Sequence, residues 1–166
     1  MPTTLENLKT AFAGESQANR RYLAYARKAE QDGFPNVARL FRAAAEAETT
    51  HALAHLQAMG GVSGTVENLK DAIQGETYEA KEMYPPMLAQ AQQEGHRGKA
   101  MIGMAMKVEQ VHADLYQRAL EAVLTGNDLQ AAEIYVCPIC GHVELGAPSQ
   151  RCPVCNAAPE KYQKVS

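Results

Sequence analysis

The sequence predicts an all-α four-helix bundle followed by a small C-terminal metal-binding domain, on three observations. Residues 3–125 are rich in Ala, Leu, Glu, Gln, Lys and Met, all good helix formers. Apolar positions there recur at alternating steps of three and four, as in helices packed along a seam. All four cysteines lie within residues 137–155 in two C-x-x-C pairs, a spacing that reads as metal ligation rather than disulfides. A chain of 166 residues is long enough for one buried core and a small appended module.

Thr3-x-x-Glu6 can form a capping box. The first helix then runs to about Gln31, where Asp32-Gly33-Phe34-Pro35 breaks it, with Leu5, Leu8, Phe12, Glu15, Asn19, Tyr22 and Ala26 on one face. A second helix ends near Met59 at Gly60-Gly61 and aligns Val37, Phe41, Ala44, Glu48, His51 and His55. A third starts near Thr65 and reaches Gln93, with a kink or break expected at Pro85-Pro86; Val66, Leu69, Ile73, Glu76, Ala80 and Met83 share its face. Gly95 separates it from a fourth, which ends before Gly126 and aligns Ile102, Ala105, Glu109, His112, Tyr116 and Ala119. The expected division is 1–126 for the bundle, 127–131 for a linker and 132–166 for the tail domain.

The first half of the bundle repeats in the second. Glu48-x-x-His51 returns as Glu109-x-x-His112, and Glu15 returns as Glu76, always 61 positions on, as from 48 to 109. Each helix thus places a carboxylate mid-seam, and two add a histidine one turn later. Burying so many anions unpaired is costly, and cations remove the conflict. One Glu from each of two helices with Glu-x-x-His from the other two is the arrangement of di-iron and di-manganese bundles. Glu79 breaks the repeat, because its counterpart is Ala18. One turn beyond Glu76, it offers a fifth hard oxygen ligand suited to a more oxidised ion, although an ordinary surface glutamate would also fit there.

Glu15, Glu48-x-x-His51, Glu76-x-x-Glu79 and Glu109-x-x-His112, followed by a four-cysteine tail, closely resemble rubrerythrin over almost the whole chain. The resemblance implies a ferritin-like bundle with a carboxylate-bridged di-iron centre. Glu48 and Glu109 would bridge the irons, Glu15 would hold one, and Glu76 and His112 the other. The first iron would exchange Glu79 for His51 on reduction. Tyr22 and Tyr84 match family tyrosines near the metals, where each could hydrogen-bond a ligand carboxylate or relay a proton; core packing is the plain alternative for either. Glu79, His51, Tyr22 and Tyr84 are therefore the expected catalytic participants.

In the tail, Cys137-Pro138-Ile139-Cys140-Gly141 and Cys152-Pro153-Val154-Cys155-Asn156 form two knuckles, and Gly141 and Asn156 tolerate the positive φ expected just after each. Four thiolates suit a tetrahedral ion without naming it, and a structural zinc ribbon fits as well as iron. The Cys-Pro-x-Cys-Gly form, with Tyr135 two residues ahead, resembles rubredoxin, and beside a di-iron bundle it favours Fe(Cys)4, with zinc as the alternative. His96 and His142 show no ligand spacing.

In a ferritin-like bundle the second and third helices run parallel, so the chain must return along the bundle. The trip from Glu48 to Gly60 and from Thr65 to Glu76 is roughly 34 Å at 1.5 Å per residue. The link from Gly60 to Thr65 spans at most about 18 Å. The expectation is therefore a domain-swapped homodimer in which Glu15, Glu48 and His51 of one chain complete a site with Glu76, Glu79, Glu109 and His112 of another. A monomeric up-down-up-down bundle is the rival.

A net charge of −3 offers no basic field for nucleic acid. No apolar run is long enough to span a membrane, and the N-terminus lacks the layout of a signal peptide, which places the protein in a reducing cytoplasm. The resemblance implies a peroxide reductase in oxidative-stress defence. Hydrogen peroxide would then be its substrate, and electrons would pass through Fe(Cys)4 from an external donor such as a rubredoxin or an NAD(P)H-linked reductase. An iron-oxidising or iron-storing protein, and a non-redox scaffold with structural zinc, are the alternatives.

Overall fold

The structure, a computed structural model, describes residues 1–130 and 133–165. Ala131, the last residue of the expected linker, and Ala132, the first of the expected tail domain, lie outside the described residues. The helices fall where the sequence pattern puts them: α1 (Thr4–Gln31), α2 (Pro35–Ala58), a third helix made of α3 (Thr65–Tyr78) and α4 (Tyr84–Gln93), and α5 (Lys99–Leu124). The tail carries β1 (Ile134–Val136), β2 (Val143–Leu145) and β3 (Gln163–Lys164). The chain divides into two compact units, Met1–Ser63 and Gly64–Ser166.

In the first unit α1 and α2 form a hairpin. The Thr3 hydroxyl accepts from the Glu6 N–H at 3.2 Å while the Glu6 carboxylate accepts from the Thr3 N–H at 2.6 Å, a complete capping box. Gly33, at φ +83°, makes the turn, and Pro35 opens α2 where no helical N–H is needed. Alanines fill the hairpin's interior: Ala18, Ala26, Ala29, Ala38, Ala45 and Ala52 are all buried. Asn19 clamps the pair by donating through Nδ2 to the Ala45 carbonyl at 2.7 Å and to Thr49 Oγ1 at 2.8 Å. Two helices share one interface, so larger side chains flanking it, such as Leu5, Val37 and Leu53, stay exposed.

In the second unit the third helix packs on α5. Between α3 and α4, Glu79–Met83 form a π-helical turn, closed by the Tyr84 N–H donating to the Glu79 carbonyl five residues back. Pro85 and Pro86 explain it. Neither supplies an N–H, and each ring would press on a carbonyl four residues back. The wider turn relieves that pressure without breaking the helix.

The tail folds as a three-stranded antiparallel sheet of order β2-β1-β3, with Tyr135 opposite Glu144 on one side and Lys164 on the other. Its two knuckles are built alike. The Gly141 N–H donates to the Cys137 carbonyl and the Asn156 N–H to the Cys152 carbonyl, both at 2.9 Å. Gly141 stands at φ +87° and Asn156 at +62°, the left-handed turns the sequence calls for. The tail rests on α5 of its own unit: Val108, with Met104 beside it, joins one apolar cluster with Cys137, Cys140, Cys152, Ala157 and Tyr162. Among the described residues no helix is long and apolar enough to cross a membrane.

Candidate metal centres

Among the described residues three clusters of potential ligands form, each within a single unit. In the first, Glu15 on α1 meets Glu48 and His51 on α2, with one ligand atom of each within 4.8 Å of the others. Helical spacing puts Glu48 and His51 on one face, and His51 Nδ1 lies 3.0 Å from Glu48 Oε2. The Glu15 carboxyl is raised above its ordinary value, first by sharing a hydrogen bond with Glu48; the same bond, with His51 next, lowers Glu48. Two carboxylates this close share one proton, which a cation can replace. His51 is exposed, and Glu15 and Glu48 are half-buried, because they flank the alanine-filled interface rather than lie in it.

The second cluster joins Glu76 of α3 with Glu109 and His112 of α5. His112 Nδ1 lies 2.9 Å from Glu109 Oε2 and 3.7 Å from Glu76 Oε2. The other ring nitrogen, Nε2, is 3.1 Å from the Gly141 carbonyl oxygen. A carbonyl only accepts, so Nε2 carries the hydrogen, and a neutral ring then turns the Nδ1 lone pair toward two carboxylates. Acceptors facing acceptors at that range need a proton or a cation between them, which is the fit of a metal ion. Burial first, then the charges of Glu109 and Glu79, raise the Glu76 carboxyl, while His112 lowers it. Glu79 is near enough to act on Glu76 by its charge but is not one of the three atoms grouped within 4.8 Å. Tyr84 faces the same carboxylates: burial, then Glu109, Glu79 and Glu76, hold its phenol above the usual range. Tyr22 lies in the first unit, with its ring 6.2 Å from that of Phe41 and 6.4 Å from that of Tyr25.

The third cluster is Cys137, Cys140, Cys152 and Cys155. Cys137 Sγ lies 3.5 Å from Cys155 Sγ, and Cys140 Sγ 3.5 Å from Cys152 Sγ, with all four thiols free. Metal–sulfur bonds of about 2.3 Å in a tetrahedron separate the sulfurs by about 3.8 Å, so the cage is already near the size of its ion. Burial raises the Cys140 and Cys155 thiols. It opposes ionisation of Cys152 too, but hydrogen bonds from the Tyr162 hydroxyl and from the Cys155 and Val154 N–H groups pull that thiol down to about 6. Crowded thiols of this kind ionise together only around a cation.

The structure therefore brings the seven bundle residues together as two groups of three, with Glu79 beside the second, and all four cysteines as one. Sequence reasoning missed two residues. His142 lacks ligand spacing but is buried beside the cysteines, with Tyr162 against it. Its place directly after the first knuckle was the only available signal, and Tyr162 follows no periodic pattern.

Comparison with known proteins agrees with this geometry. Residues 6–120 match the family model described as Rubrerythrin, and residues 135–163 match that of the rubrerythrin rubredoxin-like domain. Rubrerythrin-2 of Clostridium acetobutylicum is 34% identical over 96% of this chain and 95% of its own length. Nigerythrin of Nitratidesulfovibrio vulgaris is 36% identical over 92% of this chain and 82% of its own. The solved structure of fully reduced, all-ferrous nigerythrin superposes with a TM-score of 0.58 at 30% identity, covering 99% of this chain and 88% of that one.

Proposed function

The chain belongs to the rubrerythrin family, a ferritin-like fold with a rubredoxin-like domain, and from that premise we propose that it is a cytoplasmic peroxide reductase. Family members are oxidoreductases with a di-iron site and an Fe(Cys)4 site, and the Glu/His and four-cysteine clusters are the places for them here. In this reading hydrogen peroxide takes two electrons and two protons and leaves as two waters, the electrons coming from a rubredoxin or an NAD(P)H-linked reductase by way of the tail.

An iron pair, when bound, would supply the electrons that break the O–O bond. The chain's residues hold and surround it. Glu15, Glu48 and His51 form one set of ligands, and Glu76, Glu79, Glu109 and His112 the other. Tyr84 keeps its proton tightly among three carboxylates, so at neutral pH it serves as a hydrogen-bond donor there. Tyr22 is assigned the matching place on α1. We also assign the functional division to 1–126, 127–131 and 132–166.

One observation carries the reading. His112 Nε2 donates to the carbonyl of Gly141, the residue joined directly to Cys140. A ligand of each centre is thus linked by one hydrogen bond and one peptide, a connection that an iron store has no use for. We further assign a domain-swapped homodimer. Its support is the short Gly60–Thr65 link together with a ligand set that falls in two halves, one per unit.

The test is to load the full-length protein with iron, reduce it anaerobically and add hydrogen peroxide. The expected result is stoichiometric conversion to water with reoxidation, repeated when a donor re-reduces the protein. Accumulation of ferric mineral without peroxide turnover would replace the reading with iron storage. A colourless protein that carries only zinc would replace it with a scaffold.

A further inference from the structure

His142 and Tyr162, outside the proposed ligand set, meet at the tetrathiolate. His142 is 7% exposed, and Tyr162, from the chain's last turn, is 8% exposed. Tyr162 packs in one cluster with Cys137, Cys140 and Cys152. His142 Nδ1 lies 2.9 Å from Tyr162 Oη, and the two rings meet edge to face with centroids 6.1 Å apart. The phenol thus stands between the imidazole and the cysteine cluster, and its hydroxyl pulls the Cys152 thiol down. Imidazole, phenol and sulfur are placed to act as a relay.

An apolar pair of similar size would fill this space without burying any polar atom, so the two polar groups need an account. The sulfurs already receive main-chain donors, from Val154 and Cys155 to Cys152 and from His142 to Cys140. Tyr162 adds a side-chain hydroxyl to that set. A hydroxyl has one proton, and four thiolates decide where it points. Aimed at His142, it would turn its lone pairs toward negative sulfur. Aimed at Cys152, it leaves the oxygen to accept from Nδ1–H, which either the neutral Nδ1–H tautomer or an imidazolium can supply. The sulfur charge thus orders the relay as Nδ1–H to Oη and Oη–H to Sγ, each bond strengthening the next.

We propose that Tyr162, held in place by His142, is a positioning residue that raises the reduction potential of the Fe(Cys)4 centre by donating a hydrogen bond to Cys152 Sγ. The step is transfer of one electron, from a donor to ferric iron, with no bond made or broken. Reduction places one more negative charge on the iron and its sulfurs, and a donor aimed at sulfur favours that state. This inference rests on the tetrathiolate alone. It survives even if peroxide is not the substrate.

The test is spectroelectrochemical titration of the full-length iron-loaded protein, following the ferric thiolate absorption. Tyr162→Phe removes one oxygen atom. It is expected to lower the reduced-to-oxidised ratio at a fixed potential about tenfold, or about 59 mV for a one-electron couple. His142→Phe should shift it in the same direction, and His142→Asn, whose amide N–H can stand near Nδ1, should recover most of the loss. Thermal melting of the zinc-loaded variants checks the fold. An unchanged ratio in Tyr162→Phe overturns the proposal. So does a shift that tracks loss of melting temperature across all three variants with no recovery by Asn. Should Tyr162→Phe fail to load iron, the His142 variants decide: a higher potential for Asn than for Phe supports the relay, and equal potentials overturn it.

Discussion

Glu76 shows how burial shapes a candidate ligand. Its carboxyl is raised, chiefly by burial. A raised value means that its contribution to stability is complete below the unfolded value and is lost as pH rises through the folded one. Metal-free Glu76→Gln should therefore be more stable than metal-free wild type at neutral pH, with the difference vanishing in acid. Urea unfolding with metal removed, at a series of pH values, measures this. Cys137 is fully buried in the tail cage. Cys137→Ser should abolish the ferric thiolate absorption and donor-supported peroxide turnover together, read by absorbance and by peroxide consumption. At this scale Glu48 and His51 were legible from sequence, because a three-residue step in a helix always puts two side chains on one face. His142 and Tyr162, 20 positions apart with strands and turns between them, offered no such rule.

At the scale of elements, local chemistry carried most of the reading, and backbone strain carries the predictions. The capping box at Thr3 satisfies donors that α1 would otherwise leave open, so Thr3→Ala should cost about 1 kcal/mol in denaturant unfolding. Gly141 holds φ +87°, and an added Cβ would meet Val108 Cγ1 at an ordinary 3.7 Å. Gly141→Ala is then penalised by backbone strain rather than by a clash, about 1–3 kcal/mol, read as a lower melting temperature of the zinc-loaded protein. The third helix was expected to kink or break at Pro85-Pro86. It stays helical throughout and widens into a π-turn that begins at Glu79 itself. Pro reveals where a helix loses donors, but how the carbonyls upstream rearrange depends on the packing of α3 and α4 against α5.

For the whole molecule, the arrangement of subunits yields a decisive experiment. One chain carrying Glu15→Ala and Glu48→Ala is combined by co-expression with another carrying Glu109→Ala and His112→Ala. In a swapped dimer the mixed species holds one intact set of seven ligands, so iron binding and turnover return in the mixture. Chains that build each site alone give no recovery. Light scattering on the wild-type protein should report twice the 18.0 kDa chain mass. The proposal of a swap comes from the length of the Gly60–Thr65 link, a property the sequence supplies directly. The seating of the tail was not legible, since nothing in the cysteine motif says that Val108 of α5 will enter its apolar cluster.

The sequence by itself determined the helices, the repeated ligand pairs and the thiolate cage. These follow from relations between near neighbours in the chain: helical period, capping chemistry and the reach of a C-x-x-C turn. Only the tertiary structure decided that Gly141 would present its carbonyl to His112 and so choose which ring nitrogen faces the carboxylates. It alone also placed a phenol and an imidazole against the sulfurs. Contacts between distant residues depend on the path of the backbone and on which buried surfaces fit together, and no local pattern encodes that choice.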